Sequence, residues 1–368
     1  MAFDPLQGFP NQSLLSQADS RLTELASGVD ALYLSGRALL SDGLLDNLEL
    51  ARIEATGSEQ AVPFPLAGVT MAMAPHGFHK YRYCLDHPFG RIGLTASSNL
   101  PTISVQPRAE FLHGSGPRSA VEWFQQILAE ECGPLRLWVN RLDLFADFQG
   151  WQLQGESRHE FVCRAKTRHT YEEDEIFNGL VFGKRTSGSP LARLYDKTIE
   201  SAKTGSDYWK TIWGEKFDAD QSVLRIEFEL GRQVLKEFGL DSPDHVLDAT
   251  GSLWSSLTSQ WLTHRIPGAD QTRARWPISP QWEQVQRARF DEVDWGIVRM
   301  YEGKRLGSLF KLMPGLVGYL ASFGALTNSS SFADLLPHLG DQLVNHARES
   351  GLTLNERIAL KRQKLVMP

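Results

Sequence analysis

Tyr195 stands in the run Leu191-Ala-Arg-Leu-Tyr-Asp-Lys197, with Arg193 and Lys197 two residues to either side. A phenol ionises near pH ~10, so as a nucleophile it needs neighbouring cations, a base or a metal to favour the phenolate. On a strand alternate residues share a face, which would project Arg193, Tyr195 and Lys197 together, opposite Ala192, Leu194 and Asp196. Two further segments divide in the same way. In one, Arg141, Asp143, Phe145 and Asp147 fall opposite Leu142, Leu144, Ala146 and Phe148; in the other, Arg225, Glu227 and Glu229 fall opposite Ile226, Phe228 and Leu230.

If these two strands are neighbours, their four carboxylates repel one another unless something neutralises them. Arg141, Arg193 and Arg225 could do so as an ion-pair net, and a divalent metal could do so as well. Hard oxygen donors with no His or Cys nearby suit Mg²⁺, Mn²⁺ or Ca²⁺ rather than zinc. Attack of a phenol on a phosphodiester also requires the charge developing on phosphorus to be held, which a carboxylate-bound metal and an arginine can do. The expected set is therefore Tyr195 as nucleophile with Arg193, Lys197 and Arg141 as charge stabilisers. The plainer reading of each strand taken singly is the wet side of an antiparallel sheet.

The elements that must carry these residues are legible in outline. Residues 12–27 have helical spacing, Asp30–Ser35 is a short strand candidate, and a second helical run covers about 41–55. From Pro63 to Leu112 short apolar runs separated by Pro, Gly, Asn and Asp read as strands and hairpins. Pro117–Glu131 returns to a helical period, with Val121, Phe124, Ile127 and Leu128 on one side and Cys132-Gly133-Pro134 as its stop. Strands are expected over Leu135–Phe148, Leu191–Lys197 and Val223–Leu230, and helices over roughly 251–264, 280–290, 292–323, 331–349 and 353–365. The expectation is an α+β chain: an N-terminal helical arm (1–27), an antiparallel β-sheet catalytic domain with flanking helices (28–240) and a mostly helical C-terminal domain (241–368).

Composition narrows the classes. At 42% hydrophobic and 22% charged residues, with ten Trp and nineteen Phe, 368 residues can bury a large core, which excludes disordered, collagenous and disulfide-scaffold proteins. A net charge of −6 supplies no global field towards nucleic acid, so any basic surface must be local. Candidates are Lys184 and Arg185 in the turn before Tyr195, and Arg273 and Arg275 in an arginine-rich stretch interleaved with Trp276 and Trp282. Gly179-Leu-Val-Phe-Gly-Lys184 has one residue too few for a phosphate loop and reads as a strand entering a hairpin, Phe182–Arg193. His76 and His79, beside Pro75 and Gly77, read as loop histidines. Three separated cysteines and a start without a basic and apolar run point to the cytoplasm. The most membrane-like stretch, Leu309–Leu326, contains Lys311 and Pro314 and is expected to be a buried helix broken near Pro314, with no membrane partner.

Three blocks in order, Val139–Phe148 (VNRLDLFADF), Phe182–Glu200 (FGKRTSGSPLARLYDKTIE) and Val223–Leu235 (VLRIEFELGRQVL), resemble the replication initiation factor family. These are the trans-acting initiators and relaxases of rolling-circle plasmids, some filamentous phages and integrative elements. The resemblance covers roughly residues 28–240. It implies that Tyr195 cuts one DNA strand and stays joined to its 5′ phosphate, with Asp143 and Glu227, and Asp147 or Glu229, holding the metal. It also implies an origin hairpin or single strand as substrate, a homodimer and a host helicase as partner. The His-hydrophobic-His metal motif of classical rolling-circle nucleases does not occur in the chain, in keeping with a family that uses carboxylates. Two other functions share the sheet: a DNA-binding protein without the chemistry, and a metal-dependent nuclease that uses water.

Overall fold

Alternating apolar residues on the longest strands build one face of a single large antiparallel sheet. The computed structural model describes residues 21–173, 176–185, 188–290, 309–350 and 353–358. The strands are β1 (Thr23–Arg37), β2 (Val62–Leu66), β3 (Val69–Met73), β4 (Tyr83–His87), β5 (Gly90–Leu94), β6 (Ile103–Pro107), β7 (Arg136–Gln149), β8 (Phe161–Cys163), β9 (Arg168–Glu173), β10 (Ile176–Phe182), β11 (Leu191–Asp196), β12 (Leu224–Gly231) and β13 (Leu262–His264). Eleven of them form one sheet in the order β2-β3-β4-β5-β6-β1-β7-β12-β11-β10-β9, and β13 pairs with β8 separately. The helices are α1 (Asp42–Ser58), α2 (Ala109–Ser115), α3 (Pro117–Cys132), α4 (Lys197–Thr204), α5 (Tyr208–Trp213), α6 (Arg232–Glu237), α7 (Pro243–Asp248), α8 (Thr250–Ser256), α9 (Pro280–Gln286), α10 (Leu309–Leu326) and α11 (Phe332–Ser350). The fold is α+β with a helical C-terminal region.

Register fixes which side chains meet. Glu229 of β12 lies opposite Asp143 of β7, Glu227 opposite Phe145, and Arg225 opposite Asp147. On the other edge of β12, Leu191, Arg193 and Tyr195 of β11 lie opposite Glu229, Glu227 and Arg225. The apolar partners alternate with these: Leu142, Leu144, Ala146, Ile226 and Phe228 are all 0% exposed, which places the main core behind the sheet. Phe228 meets the rings of Trp254 and Trp261 there. The polar face is not uniformly wet, because Phe145 packs with Leu25, Trp209, Trp213 and Val223 beneath α5.

Several sequence expectations change. Residues 23–27, expected to be helical, are the start of β1, which pairs with β7 from Thr23↔Gln149 onward; residues 12–20 lie outside the described residues. The cause is visible in the register, where shifts at Glu24/Ala26 and Val29/Ala31 insert extra residues in β1. Those bulges break the two-residue alternation, and buried Leu22, Leu25, Val29 and Leu32 fall at spacings that imitate a helix. The helix expected over 251–264 becomes α8, a π-turn at Leu257–Trp261 and β13, because Leu262–His264 pair with Phe161–Cys163. The helix expected over 280–290 ends at Gln286. Residues 292–308 and 359–365 lie outside the described residues.

The chain groups into two units, residues 1–232 with 241–297 and residues 233–240 with 298–368. Residues 241–290 group with the sheet in the first unit. In the second unit α10 runs unbroken through Pro314, and Leu316, Val317, Tyr319 and Leu326 are exposed, so it is neither broken nor a buried helix. The proline removes one backbone donor without ending the helix, and α10 packs against α11 along the side where Gly324 faces Leu335. Among the described residues no helix is long and apolar enough to cross a membrane.

Candidate active site

The β10–β11 hairpin delivers Tyr195 to the sheet, and the end of β11 sets its position. Asp196 caps α4, its carboxylate accepting from the backbone N–H groups of Thr198 at 2.9 Å and Ile199 at 3.2 Å. A side-chain acceptor at a helix start satisfies otherwise orphaned donors, so the strand turns into the helix immediately after Tyr195. The Tyr195 hydroxyl donates to Glu227 Oε2 at 3.0 Å. Arg193 donates from Nη2 to Glu227 Oε1 at 2.5 Å and Asp143 Oδ2 at 3.2 Å, and from Nη1 to Glu229 Oε2 at 3.1 Å. Arg141 grips Asp143 through Nε at 2.8 Å and Nη2 at 2.5 Å, and also reaches Glu229 at 3.0 Å. Arg185 binds Glu229 from outside at 2.8 Å. Tyr195, Glu227, Arg193, Asp143 and Arg141 border a hollow of about 380 Å³ whose lining also includes Asp30 and Tyr33.

Burial pushes the Tyr195 phenol well above its ordinary value, and the Glu227 charge pushes it further, with Arg225 opposing. The phenol is therefore protonated at neutral pH, and Glu227 Oε2 is the group placed to take its proton. Asp143 is pushed up to about 7, first by burial and then by Glu227 and Glu229, against the pull of Arg141. Burial works to raise Glu229, but Arg185, Arg141 and Arg193 outweigh it and hold it below the usual carboxylate range.

The structure thus brings Tyr195, Arg193, Glu227, Asp143, Glu229 and Arg141 together. Asp147 lies on the same face but is separated from this cluster. It is 0% exposed, with its oxygens taken by Arg225 Nε at 2.7 Å, Arg225 Nη2 at 2.8 Å and Trp213 Nε1 at 2.8 Å. Lys197 begins α4 instead of ending β11; its Nζ lies 4.8 Å from the Trp209 ring centre, 6.0 Å from that of Tyr195, and 2.5 Å from Glu200. Lys184 sits in the hairpin turn, and Arg185 next to it is committed to Glu229. Arg273 and Arg275 are not among the residues lining the hollow; Arg273 donates to the Phe161 carbonyl at 2.9 Å and Arg275 stands 3.6 Å from Asp270.

Sequence reasoning missed Asp30 and His113. Asp30 lines the hollow, receives Arg225 Nη1 at 2.9 Å and lies 3.3 Å from His113 Nε2. A lone carboxylate at the head of the apolar run Ala31–Leu34 was its only signal. The Arg225 guanidinium lies in the corner of two edge-to-face rings, 4.1 Å from the centre of Phe145 and 3.9 Å from that of Trp209.

The donor chemistry suits Mg²⁺ or Mn²⁺, but the arrangement does not. Arg193 Nη2 stands where a cation shared by Asp143 and Glu227 would stand, and three arginines already balance the three carboxylates Asp143, Glu227 and Glu229. Among the described residues no three Asp, Glu, His or Cys side chains are grouped as a metal ligand set. A divalent ion at Asp143 and Glu227 requires Arg193 to withdraw from both.

No protein-family model and no curated protein matches this chain. Among solved structures, it is similar to a rolling circle replication initiator protein from Geobacillus stearothermophilus at 17% identity and a TM-score of 0.42, over 73% of this chain and 98% of that one.

Proposed function

We propose that this protein is a site-specific DNA nicking and closing enzyme of the rolling-circle initiator type, acting through a phosphotyrosine at residue 195. The observation that carries the proposal is the hydrogen bond from the Tyr195 hydroxyl to Glu227 Oε2, 3.0 Å long, in a hollow that also presents Arg193 and Arg141. A buried phenol of raised pKa is a poor nucleophile unless its proton leaves as it attacks, and a carboxylate in contact with the hydroxyl supplies that route. In the proposed step the Tyr195 oxygen bonds to phosphorus, its proton passes to Glu227, and the bond from phosphorus to the 3′ oxygen breaks. The 3′ oxygen takes up a proton, and the 5′ phosphate remains on the tyrosine. Arg193 and Arg141 turn towards the phosphate as negative charge develops. Attack by a 3′ hydroxyl on the phosphotyrosine reverses the sequence and reseals the strand.

The proposed substrate is origin DNA, as a single strand or hairpin, and the proposed setting is the cytoplasm, with a homodimer and a host helicase as partners. The test uses a supercoiled plasmid carrying the DNA that surrounds the gene, incubated with Mg²⁺ or Mn²⁺. Relaxed circles together with a protein–DNA band that survives denaturation support the proposal. Binding without either product identifies a non-catalytic DNA-binding protein, and cutting without the band identifies a nuclease that uses water.

A further inference from the structure

A second cavity opens on the other side of Tyr195. It measures about 660 Å³ and is lined by Tyr171, Gly179, Val181, Tyr195, Ile199 and Lys203, among others. Its construction follows from strand register: Tyr171 pairs with Gly179, and Gly179 pairs with Tyr195, so one rung of the sheet reads tyrosine, glycine, tyrosine. Neighbouring strands lie ~4.8 Å apart, so the two tyrosine-bearing strands stand ~9.6 Å apart with no side chain between them. Offset aromatic rings sit with centres upward of ~4.5 Å apart, so one flat ring contacting both tyrosines fits that gap. Gly179 is required as the floor, since a Cβ there would lie 2.6 Å from the Leu194 carbonyl and 3.0 Å from the Tyr195 Cβ. Tyr171 is 54% exposed, an aromatic ring held at the mouth of an apolar slot. Arg185, paired with Glu229, and Lys203 and Glu200 complete the charged part of the lining.

We infer that this slot holds one unstacked nucleobase of single-stranded DNA next to the scissile phosphate, with Tyr171 as its outer wall. The inference rests on the proposed nicking function, because Tyr195 is the wall shared by the slot and the hollow that holds Glu227. A base next to the cleaved phosphate must leave its stack for the phosphate to reach the phenol, and an aromatic wall offers it a replacement stack. Base–aromatic stacking of this kind is tolerant of sequence, because every base has a flat face.

The experiment measures binding of fluorescein-labelled oligo(dT) to the full chain carrying Tyr195→Phe, which keeps the ring and prevents adduct formation, by anisotropy at low ionic strength. Base–aromatic stacking is worth ~1–3 kcal/mol, so adding Tyr171→Ala weakens oligo(dT) binding roughly 5- to 150-fold, while Tyr171→Phe preserves it. An abasic strand of equal length, having nothing to stack, binds the two proteins alike. Unchanged oligo(dT) binding by the Tyr171→Ala variant overturns the inference, as does equal loss for oligo(dT) and abasic strands, or no binding of oligo(dT) at all. The nicking proposal fails separately: a Tyr171 effect on oligo(dT) with no covalent adduct formed by the Tyr195 chain leaves the slot standing and removes the chemistry.

Discussion

Replacing Asp147 with Asn separates a scaffold role from a ligand role. Asp147 and Arg225 are both 0% exposed, joined by two hydrogen bonds of 2.7 and 2.8 Å, and Trp213 donates to the same carboxylate at 2.8 Å. Asparagine keeps the volume, removes the charge and turns an amide N–H₂ towards donors. Breaking a buried pair by removing one partner costs ~3–5 kcal/mol, because the remaining charge is left uncompensated. Here Asp30 still holds Arg225 Nη1 at 2.9 Å, and the guanidinium stays packed against Phe145 and Trp209, so the loss falls near the lower end, ~3 kcal/mol. For a unit of this size that is a drop in Tm of roughly 6–12 °C. Thermal unfolding followed by circular dichroism measures it, with Arg225→Met added in a double-mutant cycle. The double variant strands no guanidinium, and Asp30 keeps its contact with His113 at 3.3 Å, so part of the loss should be recovered. A drop of less than ~1 kcal/mol for Asp147→Asn would refute the reasoning and return this carboxylate to the list of candidate ligands.

Three further outcomes are expected. Burial raises the thiol pKa of Cys84, and raises those of Cys132 and Cys163 to about 11, so all three should resist alkylation by iodoacetamide near pH ~8 until the protein is denatured; rapid labelling of the native chain would contradict this. Burial holds His264 below its ordinary value against the opposing pull of Glu160, so its folded pKa lies below its unfolded value of ~6.5. The unfolded chain then binds more protons as pH falls, and stability is full above ~6.5 and lost as pH falls from there towards the folded pKa. His264→Gln should flatten that part of the Tm–pH curve, and parallel curves for the two proteins would contradict it. Arg193→Ala vacates the position between Asp143 and Glu227, so Mn²⁺ affinity read by electron paramagnetic resonance should rise about tenfold or more, an electrostatic gain of at least ~1.4 kcal/mol; equal or weaker binding would contradict it.

The part of the site that rests on strand alternation was readable beforehand. Asp143, Glu227, Glu229, Arg193 and Tyr195 share a face because the side-chain period of a strand is two, and no tertiary information is needed to see it. What alternation could not say is which stretch of that face remains open. Arg225 and Asp147 belong to the same rows, yet α5 brings Trp209 and Trp213 over them, and the packing of a distant helix on a polar row leaves no mark in the row itself. Lys197 continues the alternation of β11 yet opens α4, and the signal for that is Asp196 followed by Thr198, Ile199 and Glu200, which has the form of a helix cap. The beginning of β1 was illegible for a different reason, since its bulges erase the period on which the reading depends. Asp30 was lost with it.

The most direct measurement isolates covalent protein–DNA adducts from a randomised single-stranded DNA pool, digests them with nuclease and protease, and locates the residual nucleotide by mass spectrometry. The nucleotide is predicted on Tyr195 through a 5′ phosphate, absent from Tyr195→Phe and reduced about 10²- to 10⁴-fold in yield rate for Glu227→Gln, the range over which a positioned general base acts. An adduct on another residue, or undiminished adduct formation by Tyr195→Phe, would contradict the assignment of the nucleophile.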